Sequence, residues 1–442
     1  MRVPDRLSKA RIRRLGDFMD RFAGCWGHRA QRDCSRRYVE GLISKAERKS
    51  MQGVWGAIRD PGSYQAIQHF ITISQWDPEP VWRRLREEIP ERRGVLIVDD
   101  TGFPKQGTRS VGVQRQYSGT MGRIANCQVA VSTVLRAKRT TWPVAMDLYL
   151  PEIWAEDMDR RESAAVPVSA VFQPKWQIAL GQIVKARRAK IQIECVVSDS
   201  GYGECTEFRD RLDRMHLRYV VAVTGQTTAF SGIPLYRELR QKRMGRPRKR
   251  HPLTRSSPKP RSLRDLATSL PVGAWKRIVW RRGTKGPMRA DFAALRVVPA
   301  HRWYDRDERS TCWLLCERLR DGSFKFYFSN LPENTPIRRL VDLAHTRWAV
   351  EQNYQQLKEE LGLDHFEGRT WTGWHHHVLL TVLTFVFLEA ERSRRATEPL
   401  PTFPAMRRLL SEVLFIRLFD ERPDLQDVIA EKFAERRGRE PP

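Results

Sequence analysis

The run Val95-Leu96-Ile97-Val98, ending in Asp99 and Asp100, limits most strongly what this chain can fold into. Four consecutive β-favouring apolar residues without polar alternation make a buried strand, and that strand delivers carboxylates at its tip. Asn126–Leu135 and Trp142–Leu150 have the same texture, and the Gly-rich stretch Tyr117–Gly122 turns the chain before them. Trp176–Lys190 then reads as a helix, Ile191–Val197 as a strand stopped by Ser198-Asp199-Ser200-Gly201, Phe208–His216 as a helix and Arg218–Val223 as a strand. Strand, meander, helix, strand, helix, strand predicts an α/β fold: a mixed sheet covered by helices.

The flanks differ. At 442 residues the chain has room for about three domains. Residues 1–92 carry apolar residues at helical spacing over 37–51, 64–73 and 81–89, a basic helical block suited to binding DNA. Between Arg237 and Arg261 eleven basic residues and four prolines face a single acid, so this stretch predicts a mobile basic loop; Arg246, Arg248 and Lys249 are its DNA-contact candidates. Strands are expected at 275–280, 290–298, 311–316 and 324–328, a long helix at 338–361, a buried helix at 378–391 and a C-terminal helix from Pro404.

Lys and Arg exceed Asp and Glu by 27, a surplus that self-repels unless a polyanion neutralises it, and nucleic acid is the partner this favours. Seven scattered cysteines without a C-x-x-C pair argue against a disulfide framework and against structural zinc, and suit a reducing cytoplasm. The basic N-terminus has no signal-peptide stretch, and the longest apolar run, 378–388, is about half a bilayer crossing, so no membrane association is expected.

Three acids stand out by position: Asp100 and Asp199 at strand ends and Glu351 within a helix. Carboxylates gathered at the ends of buried strands repel one another unless a cation sits among them. Hard oxygen ligands suit two Mg²⁺ ions, with Mn²⁺ able to substitute, and such a pair roughly 4 Å apart activates water and stabilises the leaving oxygen of a phosphodiester. On the helix bearing Glu351, Val350, Tyr354, Leu357 and Leu361 form a core stripe, and Arg347, Glu351 and Lys358 share an adjoining edge. His375-His376-His377 cannot converge on one metal, because consecutive helical positions point apart.

Arg347-x-x-x-Glu351-x-x-x-x-x-x-Lys358 resembles most of the Y-x-x-R-x-x-x-E-x-x-x-x-x-x-K signature of the DDE transposases in the insertion-sequence-4 group. VDDTGFPKQG (98–107), SVGVQRQYSGTMGRIANCQVAVS (110–132), LYLPEIWAEDMDRR (148–161) and SDSGYGE (198–204) resemble the insertion sequence 701 family within it. The signature tyrosine falls at Ala344, a departure by which one DNA contact of the wider group is lost or is supplied by another residue. The resemblance implies an RNase H-like core in two parts, 93–230 and 331–393, interrupted by an inserted, mainly β domain at 231–330. It further implies a DNA-binding helical region at 1–92 and a C-terminal helical region at 394–442. The catalytic and metal-binding triad carries onto Asp100, Asp199 and Glu351; the group's Asp-Thr pair selects Asp100-Thr101, with Asp99 the alternative one residue away. Lys105, Arg115, Arg123, Arg347 and Lys358 are the implied phosphate contacts, and Trp275, Trp280, Trp303 and Trp313 the candidates to stack on a base displaced near the cut.

The expected activity is therefore cleavage of double-stranded DNA at element ends and joining of the freed 3′ hydroxyls to target DNA, by a dimer on the DNA. Two alternatives share the charge and the fold: a nuclease that cuts without joining, and a catalytically silent transposon-derived DNA-binding protein. A phosphatase of the haloacid dehalogenase type requires D-x-D-x-T, which Asp99-Asp100-Thr101 does not supply.

Overall fold

The computed structural model describes residues 5–58, 62–119, 121–237, 252–283, 286–300, 311–394 and 400–421, the side chains of 5–9 and 415–421 apart. Arg246, Arg248, Lys249 and Trp303 lie outside the described residues.

Among the described residues twelve strands form one mixed sheet: β1 (Arg93–Pro104), β2 (Gln114–Ser118), β3 (Arg123–Arg136), β4 (Thr141–Leu148), β5 (Gln192–Ser198), β6 (Tyr219–Val223), β7 (Thr228–Phe230), β8 (Arg261–Ser262), β9 (Lys276–Gly283), β10 (Gly286–Pro299), β11 (Cys312–Arg318) and β12 (Phe324–Ser329). At its centre the order is β4-β3-β1-β5-β6, with β3 antiparallel to β1 and β4, and β5 parallel to β1 and β6. A short loop joins β3 to β4. Helices Lys175–Arg188 and Thr206–Arg214 make the crossovers that the parallel pairs require.

The expected strands at 275–328 are present, and they extend this sheet, because β12 pairs antiparallel with β6. Helix Trp371–Ser393 is apolar nearly all round and correspondingly buried, packed between β4 and the N-terminal helices Arg29–Ile43, Tyr64–Thr72 and Pro78–Glu88. Among the described residues no helix is long and apolar enough to cross a membrane. The cysteines are all at least half-buried.

Two local departures from the sequence reading matter for the site. β1 does not stop at its acids: Thr101-Gly102-Phe103-Pro104, which has the composition of a turn, continues the strand against β3 as far as Cys127. Gly102 is required there because a Cβ would meet Ser118 Oγ at 2.1 Å; the β2–β3 hairpin folds down onto β1 at that point. The expected single helix over 338–361 is three pieces: helices Ile337–Thr346 and Trp348–Gln355 meet at Arg347, and a π-helical turn, Gln356–Glu360, follows. Val350, Tyr354, Leu357 and Leu361 are all buried, as their spacing requires.

Candidate active site

Because β1 runs on through its acids, its pleat sends Asp99 and Asp100 to opposite faces of the sheet. Asp99 lies opposite Ser132 of β3, whose hydroxyl hydrogen-bonds the Tyr354 hydroxyl at 2.6 Å. Asp99 therefore faces the helix that carries Glu351. Arg347 joins the two: Nη1 donates to Asp99 Oδ2 at 2.5 Å and Nη2 to Glu351 Oε1 at 2.6 Å. Asp100 lies opposite Val131, on the face of Asp147, which accepts from Gln182 of helix Lys175–Arg188. At the start of that helix Lys175 Nζ donates to Asp100 Oδ2 at 2.8 Å.

Asp199 follows the last residue of β5, whose Ser198 is level with Val98, so it emerges beside Asp99 and Asp100. Its carboxylate caps the short helix Ser200–Gly203 by accepting from Tyr202 N. That turn is held tightly: a Cβ at Gly203 would lie 1.8 Å from the Ala222 carbonyl oxygen, and the buried Arg209 guanidinium donates to the Gly203 carbonyl.

Asp99, Asp100, Asp199, Arg347, Glu351 and Lys358 line one open cleft of about 3140 Å³, well beyond the ~300–1,000 Å³ of small-molecule sites. Burial pushes the Asp99 carboxyl up to about 7, with Arg347 pulling it down and Asp199 and Asp100 adding to the rise. Burial and Asp100 likewise raise Asp199, against Arg347 and the backbone N–H groups of Tyr202 and Gly201. Burial opposes the charge on Arg347, but Asp99, Glu351 and Asp199 outweigh it and its pKa is raised.

The remaining residues singled out in the sequence fall into four groups. Lys358 reaches the cleft but is anchored, donating to the Gly102 carbonyl at 2.8 Å, while Lys105 is turned inward to the Phe366 carbonyl at 2.7 Å; burial lowers both pKa values. Arg115 and Arg123 are exposed on the β2–β3 hairpin. The three described tryptophan candidates already have ring partners: Trp280 stacks on His345 at 3.9 Å, Trp275 lies under Arg318, and Trp313 lies under Arg296. His376 and His377 are buried against Trp76 and Phe366, and burial lowers each to about 4.

Lys175, Ser132, Tyr202 and Trp348 escaped the sequence reading. Trp348, 42% exposed in the cleft under the Arg281 guanidinium, sits next to the Arg347 signature position; that adjacency was the signal. Nothing in the sequence marks Lys175 or Ser132, whose positions follow from register alone.

A model of the DDE superfamily endonucleases matches residues 21–287, more than half of the chain. The chain belongs to the DDE superfamily endonucleases. It is also 31% identical over 189 residues to the probable transposase for insertion sequence element IS701 of Microchaete diplosiphon, a match covering 41% of this chain and 46% of that protein. The chain thus spans about half the length of the curated relative it matches.

Membership of this DDE family implies use of a divalent metal. The donor set fits one: neighbouring acids raise the pKa values of Asp99 and Asp199, and the Tyr202 hydroxyl is buried beside them without a hydrogen-bond partner. Among the described residues no group of three His, Cys, Asp or Glu side chains is already arranged to hold an ion, and Arg347 stands between Asp99 and Glu351. For Glu351 to serve as a ligand, its side chain, about half exposed, would have to turn away from Arg347.

The raised acids make a pH prediction. A carboxyl raised in the folded state binds more protons there than when unfolded, so its contribution to stability is lost as pH rises from about 4 to about 7. The buried histidines, with lowered pKa, push the opposite way from about pH 4 to 6.5. The acid effect is therefore read as a difference. Asp99→Asn should gain thermal stability over wild type by an amount of order a few kcal/mol at about pH 8 and much less at about pH 5. Saturating Mg²⁺ at the higher pH should narrow the gap, and a gap independent of pH would show that Asp99 titrates normally.

Proposed function

We propose that this protein is a DNA transposase that cleaves element ends and joins the resulting 3′ hydroxyls to target DNA. The carrying observation is that two strands and a helix, remote in sequence, bring Asp99, Asp100, Asp199 and Glu351 to one cleft with Arg347 among them. The order β4-β3-β1-β5-β6 supports an RNase H-like core over 93–230 and 331–393, with 231–330 inserted between β6 and the Glu351 helix.

In this reading Asp199, Glu351 and a carboxylate of β1 hold two divalent ions, Mg²⁺ in the cell. The pleat favours Asp99 as that third ligand over the Asp100 expected from the sequence, since Asp99 faces the Glu351 helix. Bound there, the metal pair supplies activation of the attacking oxygen and stabilisation of the leaving one. Lys175 and Arg347 balance the acids before DNA arrives, and Arg347, once released, faces the phosphate. Tyr354 and Ser132 fix the floor beneath Asp99 and keep water from it. Both steps are displacements at phosphorus, so one site serves cleavage and joining without a covalent protein intermediate. Bringing two ends together calls for a homodimer on DNA.

The test is a joining assay with paired element ends and supercoiled target in Mg²⁺. Products with the 3′ ends covalently attached to target are expected. Cutting without joining would make the protein a nuclease, and no cutting a DNA-binding relic.

A further inference from the structure

β2 is the outer strand at one end of the sheet, and its hairpin with β3 carries an unusual surface pair. Tyr117 and Ile124 are opposite each other in the register and are 62% and 61% exposed. Two large apolar side chains standing side by side in water cost apolar burial that the protein has not recovered elsewhere. Arg115 lies two residues from Tyr117 on the same face, and Arg123 follows at the turn; both are exposed.

The hairpin is braced at its base and open at its tip. Asn126 donates to the Lys105 and Gly107 carbonyls, and Ser118 is seated on Gly102, two residues from Asp100. Beyond Ser118, Gly119 and Gly122 have no atom within 4 Å of where a Cβ would be, and Gly122 has φ +63°. Tyr117 and Gly119 line the same cleft as Asp99 and Glu351. Tyr117, with Ile124 opposite it, therefore stands at the rim of the cleft that holds the acids, on a hairpin anchored at its base.

A strand edge of this kind pairs with another strand unless something prevents it. The arginines oppose it here: an edge carrying exposed Arg115 and Arg123, on a molecule of net charge +27, repels a second copy of itself. The same charges attract a polyanion. An apolar side chain flanked by arginines on a two-stranded ribbon suits one duplex contact in particular, insertion between neighbouring base pairs while the arginines hold the adjacent phosphates.

We propose that the β2–β3 hairpin is a DNA wedge, with Tyr117, supported by Ile124, entering a base step of the duplex in the cleft and unstacking it beside the acids. The inference rests on the reading of DNA as substrate and adds how the duplex is distorted there.

The experiment measures binding by the full chain in EDTA, so that nothing is cut. The probes are a perfect duplex and the same duplex with one central mismatch, each with 2-aminopurine at the central step. Wild type should brighten the 2-aminopurine and bind the mismatched duplex about tenfold more tightly, since the cost of unstacking is already met. Tyr117→Ala, at an exposed position, should lose both effects and keep affinity for the perfect duplex within about twofold; Tyr117→Trp should keep both. Retention of both effects by Tyr117→Ala, or their loss in Trp348→Ala instead, overturns the wedge and leaves the transposase reading standing. Failure of wild type to bind either duplex overturns both.

Discussion

Replacing Glu351 by Gln should lower single-turnover cleavage of an element end by at least about three orders of magnitude, roughly 4 kcal/mol of transition-state stabilisation, while duplex binding changes by less than about twofold. The substitution is selective because of where the residue sits. Glu351 is about half exposed on helix Trp348–Gln355 and accepts a hydrogen bond from the Arg347 guanidinium, from which a Gln carbonyl still accepts one. The helix keeps its core stripe and the cleft keeps its arginines; what is lost is one negative oxygen ligand. Asp199→Asn should behave alike, since Asn also caps the Ser200–Gly203 turn. Cleavage at the wild-type rate by either variant would remove that residue from the metal site.

How much of this was legible in the sequence depends on the range of the interaction that fixes each feature. The expected strands at 95–98, 191–197 and 218–223 are present, with Val95–Val98, Cys195–Val197 and Tyr219–Val221 buried, and the stripe Val350, Tyr354, Leu357 and Leu361 announced the buried side of its helix, because the pattern of apolar residues reports burial directly. The continuation of β1 through Gly102 was not legible. Thr-Gly-Phe-Pro has the composition of a turn, and only the approach of Ser118, sixteen residues on, explains why a glycine belongs inside that strand. The break at Arg347 was likewise hidden. Nothing local ends the helix there, and the guanidinium is drawn to Asp99, a partner 248 residues away. The surroundings of the tryptophans were hidden for a related reason: composition signals a ring but not whether His345, Arg318 or Arg296 lies against it.

That hidden strand continuation leads to the sharpest expected contrast, between adjacent aspartates. Asp99→Asn should abolish cleavage, and Asp100→Asn should retain it at a reduced rate, within about one hundredfold of wild type. Asp99 is 6% exposed, faces the Glu351 helix, and is bound by an arginine that also holds Glu351. Asp100 is on the other face, and its carboxylate is held by Lys175. Losing Asp100 frees the Lys175 ammonium and removes one negative charge near Asp199, changing the field at the site without removing a ligand from the Glu351 side. A double substitution, Asp100→Asn with Lys175→Gln, separates these effects: removing the pair together should restore part of the rate lost in Asp100→Asn alone. Should Asp100→Asn be inactive and Asp99→Asn active, the ligand belongs to the Lys175 face, and β1 must then twist between the two acids when DNA and metal bind.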